Sequence, residues 1–169
     1  MKSKFALLLT FLLSSVFCLT SFGQDFTALK NRTLTHSSEF KSIEPEILEC
    51  ANYILSTPQD DSNENRQIAI EVLVKWMGGT PDYKFHIDES IGELLQSDPD
   101  ILSLYLPAMA KYALENPSRA ANQNAMKLNT LKLLLNYSEN KANRIKQTKE
   151  LKKLIAVKNS GKLEDYLKV

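Results

Sequence analysis

The chain has little of several residue types on which small domains and catalytic sites depend. Its 169 residues include two cysteines, two histidines, one tryptophan, five glycines and six prolines. They form no G-x-S-x-G elbow, H-E-x-x-H zinc motif, C-x-x-C pair, P-loop or G-x-G-x-x-G turn. We therefore predict no catalytic residue, no metal site and no cofactor, and an enzymatic role is disfavoured.

The first 23 residues have the pattern of a secretory signal peptide. Lys2 and Lys4 precede a largely apolar stretch, residues 5–19, which is too short for a stable membrane span. Ser21 and Gly23 are small residues at the third and first positions before a cleavage point. We expect cleavage after Gly23 and export to the periplasm or the medium of a bacterial cell.

The two cysteines have different expected fates. Lipid attachment at Cys18 is the alternative to cleavage after Gly23, but Phe17 is bulky where bacterial lipoprotein signals have a small residue. Removal of the signal peptide leaves Cys50 with no intramolecular partner. Cys50 falls on the same predicted helix face as Ile47 and Ile54, so we expect its side chain to be buried.

Charge is distributed unevenly along the chain. Residues 24–117 carry 7 basic and 16 acidic side chains, whereas residues 118–169 carry 12 basic and 4 acidic ones. The near-neutral sum disfavours non-specific binding to polyanions. The asymmetry predicts either two halves that attract each other or a basic end that is free to bind a partner.

Helix signals dominate the first half. Pro45 lies in the first turn of a predicted helix that ends at residues 57–58, and apolar residues recur at helical spacing between them. Asp61 or Ser62 is expected to cap the next helix, which the glycines at 78–79 end.

The second half is also predicted to be helical. Asp88 caps a short helix, and Asp98 before a proline begins a longer one. Pro107 inside that helix predicts a kink or a division into two pieces. No glycine or proline occurs from 118 to 160, so this stretch is either one long helix or two helices separated by a turn at 137–140.

The predicted fold is all-α, with six or seven helices in irregular hairpins at about 45–77, 88–116 and 118–158. Residues 42–169 form a single domain, and residues 24–41 form an N-terminal arm or a strap across it. The hairpins resemble the α-solenoids of tetratricopeptide and HEAT proteins, which implies a short stack. The tetratricopeptide signature is not matched after the tryptophan, and a compact bundle fits the pattern equally well.

One stretch, WMGGTPDYKFHID at 76–88, concentrates the rare residues. Its aromatic, imidazole and carboxylate side chains suggest a wall for a small ligand, with Trp76, Tyr83, Phe85, His86 and Asp88 as candidates. Asp82 and Glu89 are nearby oxygen donors, but one histidine with scattered carboxylates matches no specific metal pattern. The alternative is a packed corner in which Trp76 faces the core.

The other candidate surface is basic. Within 141–158 the apolar residues share one helix face, and the cations lie around the rest, as on a helix that binds an acidic partner or an anionic membrane. The candidate partner-binding residues are Arg144, Lys146, Lys149, Lys152 and Lys153. A terminal helix with a solvated basic face is the alternative. Nucleic acid is disfavoured because aromatic residues are not interleaved here.

We therefore expect an exported, non-enzymatic helical module that binds protein, either through a helical-hairpin groove or through its basic end. A small-ligand-binding protein or enzyme with a site at 76–88 is the first alternative. The second is an envelope-associated protein that uses the basic helix, with an anionic membrane surface as its partner.

Overall fold

The structure is a computed structural model that describes residues 25–169. The predicted signal peptide lies outside the described residues. Nine α-helices and no strand are present in the described part, so the all-α prediction is confirmed. Three single 3-10 turns, Glu89–Ile91, Pro117–Arg119 and Lys141–Asn143, lie between helices. The helices are α1 Thr27–Lys30, α2 Ser37–Ser42, α3 Glu44–Ser56, α4 Glu64–Gly79, α5 Gly92–Ser97, α6 Asp100–Glu115, α7 Gln123–Glu139, α8 Lys149–Asn159 and α9 Leu163–Leu167.

The first two helices pack on the helices that follow them, and we call residues 25–42 the strap. Helix α1 packs on α4 and α2 packs on α3, and Phe26 is buried against the edge of the Tyr53 ring of α3. The backbone N–H of Phe26 donates to Asn65 at 3.2 Å, and Lys30 pairs with Glu71 at 2.8 Å. The other seven helices are close to those predicted from the sequence.

The cap of α4 differs from the prediction. Asp61 and Ser62 were the expected caps, but the Asn63 side chain accepts the hydrogen bond from the backbone N–H of Arg66 at 3.0 Å. The Asp60 carboxylate accepts from both the N–H and the hydroxyl of Ser62, so those residues form the preceding turn. The cap of α4 therefore lies one or two residues later than predicted, and the helix begins at Glu64.

Helix α6 passes through Pro107 without dividing, so the two-piece alternative is wrong. A proline inside a helix costs about 3 kcal/mol. On either side of it α6 buries Leu104, Tyr105 and Met109 almost completely, and each such side chain contributes about 1.5–3 kcal/mol. Burial therefore outweighs the lost hydrogen bond.

The single long helix considered for 118–160 is also wrong. Helix α7 ends at Glu139, and a turn begins at Asn140, whose side chain accepts from the backbone N–H of Ala142. Arg144 then adopts a left-handed conformation with φ 61°, and Thr148 caps α8. The predicted turn at 137–140 therefore falls near the end of α7, but the connection is longer than expected.

The packing places α6 at the centre. It lies between α3 and α7, while α4 packs on α3 and α8 packs on α7. Helix α5 lies against α8, where the hydroxyls of Ser97 and Thr148 are 3.0 Å apart, so α5 and α6 do not form a simple hairpin. Helices α3, α6 and α7 thus form one layer.

Candidate functional site

The corner, residues 76–88, is built around Trp76. This side chain is 0% exposed, and its indole N–H donates to the backbone carbonyl of Phe40 at 3.1 Å. The rings of Tyr83 and Phe85 lie with centroids 5.7 and 5.9 Å from it, and 6.2 Å from each other. The prediction that Trp76 faces the core is confirmed. Trp76 offers no surface to a ligand, because its neighbours and the strap cover it.

The paired glycines of the corner have unequal roles. A β-carbon on Gly79 would overlap two ring carbons of Phe40, whereas one on Gly78 would meet nothing within 4 Å. The absence of a side chain at Gly79 therefore lets the strap approach the end of α4 closely.

The exposed edge of the corner lines a shallow pocket of about 330 Å³. Of the predicted ligand-binding residues, Tyr83 and His86 line it together, and Trp76 and Phe85 do not. Tyr83 itself is only 8% exposed, and burial raises the pKa of its hydroxyl. The other lining residues are Asp82, Lys84, Pro117, Ala120, Ala121 and Gln123.

Asp88 is engaged elsewhere. Its carboxylate accepts from the backbone N–H of Ser90 at 2.8 Å, as a cap does, and pairs with Lys127 at 3.2 Å. The pKa of the Asp88 carboxyl is lowered, mainly by its hydrogen bonds with Ser90 and to a smaller extent by Lys127. Helix capping was predicted for Asp88, and in the structure the residue joins the corner to α7.

The potential metal ligands of the described part are dispersed, and its cysteine is buried. No three His, Cys, Asp or Glu side chains between residues 25 and 169 are grouped so that they could hold a metal ion. Cys50 is fully buried, as predicted, and burial raises the pKa of its thiol to about 12. A thiol with that pKa stays protonated at neutral pH and is a poor nucleophile.

The basic face comprises Arg144, Lys146, Lys149, Lys152 and Lys153. All five side chains are exposed, while Leu151 and Leu154 of the same segment are buried. Arg144 lies 3.5 Å from Asp60, and Lys153 lies 3.4 Å from Glu150 and over the Tyr166 ring.

Three cations of the basic face, Lys146, Lys149 and Lys152, have no acidic partner among the described residues. The acidic half of the chain therefore compensates the basic half only in part. Two ion pairs join the halves, Asp60 with Arg144 and Asp88 with Lys127.

A third surface, which the sequence did not indicate, is a groove of about 490 Å³ across α3, α6 and α7. Asn52 and Asn136 stand on its opposite walls, and Lys111 of α6 lies between them. The i, i+4 spacing of Asn136, in α7, and Asn140, just after it, was a visible signal, but only the fold brings Asn52 to them. We call this surface the asparagine groove.

The comparisons with known proteins give no relative. No family model, no curated protein and no solved structure matches the chain. No helix in the described part is both long and apolar enough to cross a membrane. Function therefore has to be argued from the surfaces of this all-α domain.

Proposed function

We propose that the chain is an exported helical module that binds an acidic protein surface through its basic face. The signal-peptide pattern of residues 1–23 supports export. The observation that supports the binding surface is the group of three unpaired cations, Lys146, Lys149 and Lys152, next to two weakly paired ones.

Three of the five cations lie on α8. Residues 149, 152 and 153 are spaced i, i+3 and i+4, so they lie on one side of α8. Leu151 and Leu154 fix α8 to the rest of the domain, so that side is held in place without being covered. A rigid row of cations complements a row of carboxylates on a partner and increases the rate of encounter.

Each ion pair that such a surface forms is expected to contribute only modestly to the free energy of binding. Exposed ion pairs contribute about 0–1 kcal/mol each and are screened by salt. Several pairs acting together are needed for binding, so reversal of two charges is a sensitive test.

The test begins with the natural partner. A photo-reactive amino acid at position 149 or 152 is expected to cross-link one discrete protein in living cells of the native host, and one at position 75 or 84 is not. The cross-linked protein is then purified, and its affinity is measured for the wild type and for Lys149→Glu with Lys152→Glu. We expect a loss of about tenfold or more, and a smaller loss at high salt.

Two controls are available in the chain. Lys75→Glu with Lys84→Glu makes the same charge change elsewhere, and His86→Ala alters the pocket beside the corner; both variants should bind normally. Equal binding by the α8 double variant would contradict the proposal. Salt-sensitive sedimentation with anionic vesicles, lost in that variant, would instead support envelope association.

A second candidate function is supported by the pocket that Tyr83 and His86 line. Its volume of about 330 Å³ is near the lower end of the range for small-molecule sites, about 300–1,000 Å³. A ligand there should raise the melting temperature of the wild type but not of His86→Ala. Reversal of the lysines in α8 should leave that stabilisation intact.

A further inference from the structure

The asparagine groove has two helical walls and a helical floor. Asn52 and Ser56 of α3 form one wall, Asn136 of α7 and its C-cap Asn140 form the other, and Lys111 of α6 lies between them. The remaining lining residues are Leu55, Leu133, Tyr137 and Asn143. This surface is separate from the basic face, and the inference does not depend on the function proposed for that face.

Carbonyl oxygens at one end of the groove are already satisfied from within the protein. The Tyr137 hydroxyl donates to the carbonyl of Thr57 at 2.6 Å, which joins the C-terminal ends of α3 and α7. The side-chain NH₂ of Asn143 donates to the carbonyl of Tyr137 at 2.8 Å. Beneath Tyr137, the buried Arg66 donates to the carbonyls of Ile54 and Thr57.

The orientations of three asparagine amides follow from their partners. The Lys111 ammonium donates to the Oδ1 of Asn52 at 2.6 Å, and the Lys158 ammonium donates to that of Asn136 at 2.7 Å. The Oδ1 of Asn140 accepts from the backbone N–H of Ala142 at 3.0 Å. Because an ammonium or a backbone N–H can only donate, the facing atom must be oxygen in each amide.

The three side-chain NH₂ groups are therefore left over. The Nδ2 atoms of Asn52, Asn136 and Asn140 have no hydrogen-bond partner among the described residues. The cations beside them are already paired, Lys111 with Glu115 and Lys158 with Glu139. The groove is thus rich in donors without a strong net charge, which suits a neutral ligand with repeated acceptors.

The spacing of the donors identifies the ligand class. Asn136 lies in the last turn of α7 and Asn140 is its C-terminal cap, so four residues at the helical rise of about 1.5 Å each separate them by about 6 Å along the helix axis. Carbonyls on one edge of an extended peptide repeat every two residues, about 6.6 Å. We infer that the asparagine groove binds an extended peptide segment of another protein, with the amides of Asn136 and Asn140 donating to alternate backbone carbonyls and Asn52 donating from the opposite wall.

A glycan fits this groove less well. A sugar ring stacks its apolar face on an exposed aromatic ring, and Tyr137, the aromatic residue that lines the groove, is only 5% exposed. Recognition through the backbone also predicts broad tolerance of peptide sequence, because the side chains of the ligand are not the groups that are bound.

The experiment observes the donors directly. The chain from residue 24 onward, which contains the whole described core, is labelled with ¹⁵N asparagine, and the side-chain NH₂ signals are followed in NMR spectra. The probes are a pool of uncharged, proline-free twelve-residue peptides and, separately, chito-oligosaccharides. We expect the peptides to shift the signals of Asn52, Asn136 and Asn140 along one common binding curve.

A near-isosteric variant removes only the donors. Asn136→Asp with Asn140→Asp keeps the oxygens that accept from Lys158 and from Ala142 but lacks both NH₂ groups. We expect peptide affinity, followed at Asn52, to fall by about tenfold or more.

The matched control lies at the other end of the same helix. Asn122, which caps α7 as Asn140 caps the following turn, and Asn124 are exposed and lie outside the groove. Asn122→Asp with Asn124→Asp makes the same chemical and charge change and should bind as the wild type does.

Three outcomes would overturn the inference. The first is no shift of the three signals with either probe, and the second is a shift with the oligosaccharides alone. The third is equal peptide binding by the groove variant and the wild type. Loss of binding only in Lys149→Glu with Lys152→Glu would assign peptide binding to the basic face instead, so failure at one surface is distinguishable from failure at the other.

Discussion

The corner at 76–88 and the asparagine groove differ in where their polar and aromatic groups point. In the corner, the indole of Trp76 is fully enclosed and its N–H is satisfied by the strap. In the groove, the acceptors are satisfied internally, and the NH₂ donors of Asn52, Asn136 and Asn140 have no partner among residues 25–169. The rarest residue of the chain therefore supports the fold, and common residues distributed over two helices form the more open surface.

This difference has a thermodynamic counterpart. Large buried side chains each contribute several kcal/mol to folding, whereas exposed amides contribute little to it and remain available to a ligand. Substitutions in the corner should therefore change stability, and substitutions in the groove should change binding.

The largest expected effect is at Trp76. Trp76→Ala removes a fully buried indole and its bond to the strap, so the free energy of unfolding should fall by about 3–5 kcal/mol. Urea unfolding followed by circular dichroism measures the loss. In the wild type, Trp76 emission should be blue-shifted and resistant to acrylamide; a red-shifted, readily quenched signal from folded protein would contradict the packed corner.

The next largest expected effect on stability is at Arg66, which lies under one end of the asparagine groove. Its guanidinium is buried, pairs with no carboxylate in the described part of the chain and donates to carbonyls at the C-terminal end of α3, and burial lowers its pKa. Arg66→Ala would leave those carbonyls unsatisfied and should cost about 2–4 kcal/mol.

Arg66→Lys supplies a charge without the planar fork of donors, so it should recover only part of this loss. Comparison of the two variants by urea unfolding separates the charge of Arg66 from its geometry. Full recovery by lysine would show that the guanidinium fork is not needed.

Substitutions of Gly78 and Gly79 should have a smaller effect on stability, and each serves as the control for the other. Gly79→Ala should destabilise the protein by about 1–3 kcal/mol because its methyl group would overlap Phe40. Gly78→Ala, one residue earlier in the same helix, meets nothing and should stabilise by about 0.5–1 kcal/mol. Thermal unfolding of both variants gives the sign of each change, and equal signs would mean that the strap does not depend on Gly79.

Much of the fold was predictable from local sequence signals. The all-α class, the burial of Cys50 and Trp76 and the approximate bounds of seven helices follow from capping residues and apolar spacing. The continuity of α6 through Pro107 was not predictable, because it depends on burial against α3 and α7, which local patterns do not encode.

The candidate sites were predictable only in part. The basic face is continuous in sequence, so the pattern indicated it. The asparagine groove joins position 52 to positions 136 and 140, which are more than eighty residues away, and no periodicity links them. Arg66 was missed for the same reason, since its partners lie on α3 and in the loop after it.

The smallest expected effect concerns Lys158, which links the wall of the groove to α8. Its ammonium donates to both Asn136 and Glu139, and hydrogen bonds from Lys158 and then Asn159 lower the pKa of Glu139. A carboxyl with a lowered folded-state pKa contributes stability that is present above its unfolded pKa and lost as the pH falls through its folded pKa. Lys158→Met should raise the Glu139 pKa toward its ordinary value. Glu139 should then contribute less to the free energy of unfolding at neutral pH, and less of that free energy should be lost when the pH falls below about 4.5.

Carboxyl ¹³C titration of Glu139 measures this change, and urea unfolding at neutral and acidic pH measures its consequence. The same variant also releases the Oδ1 of Asn136, so that this amide is free to rotate and loses its fixed donor direction. Peptide affinity in the groove should then fall slightly, by less than in Asn136→Asp with Asn140→Asp, because the donor is still present but no longer held in place. If Lys158→Met shifts the Glu139 pKa but leaves peptide affinity unchanged, the direction of the Asn136 amide does not matter for binding.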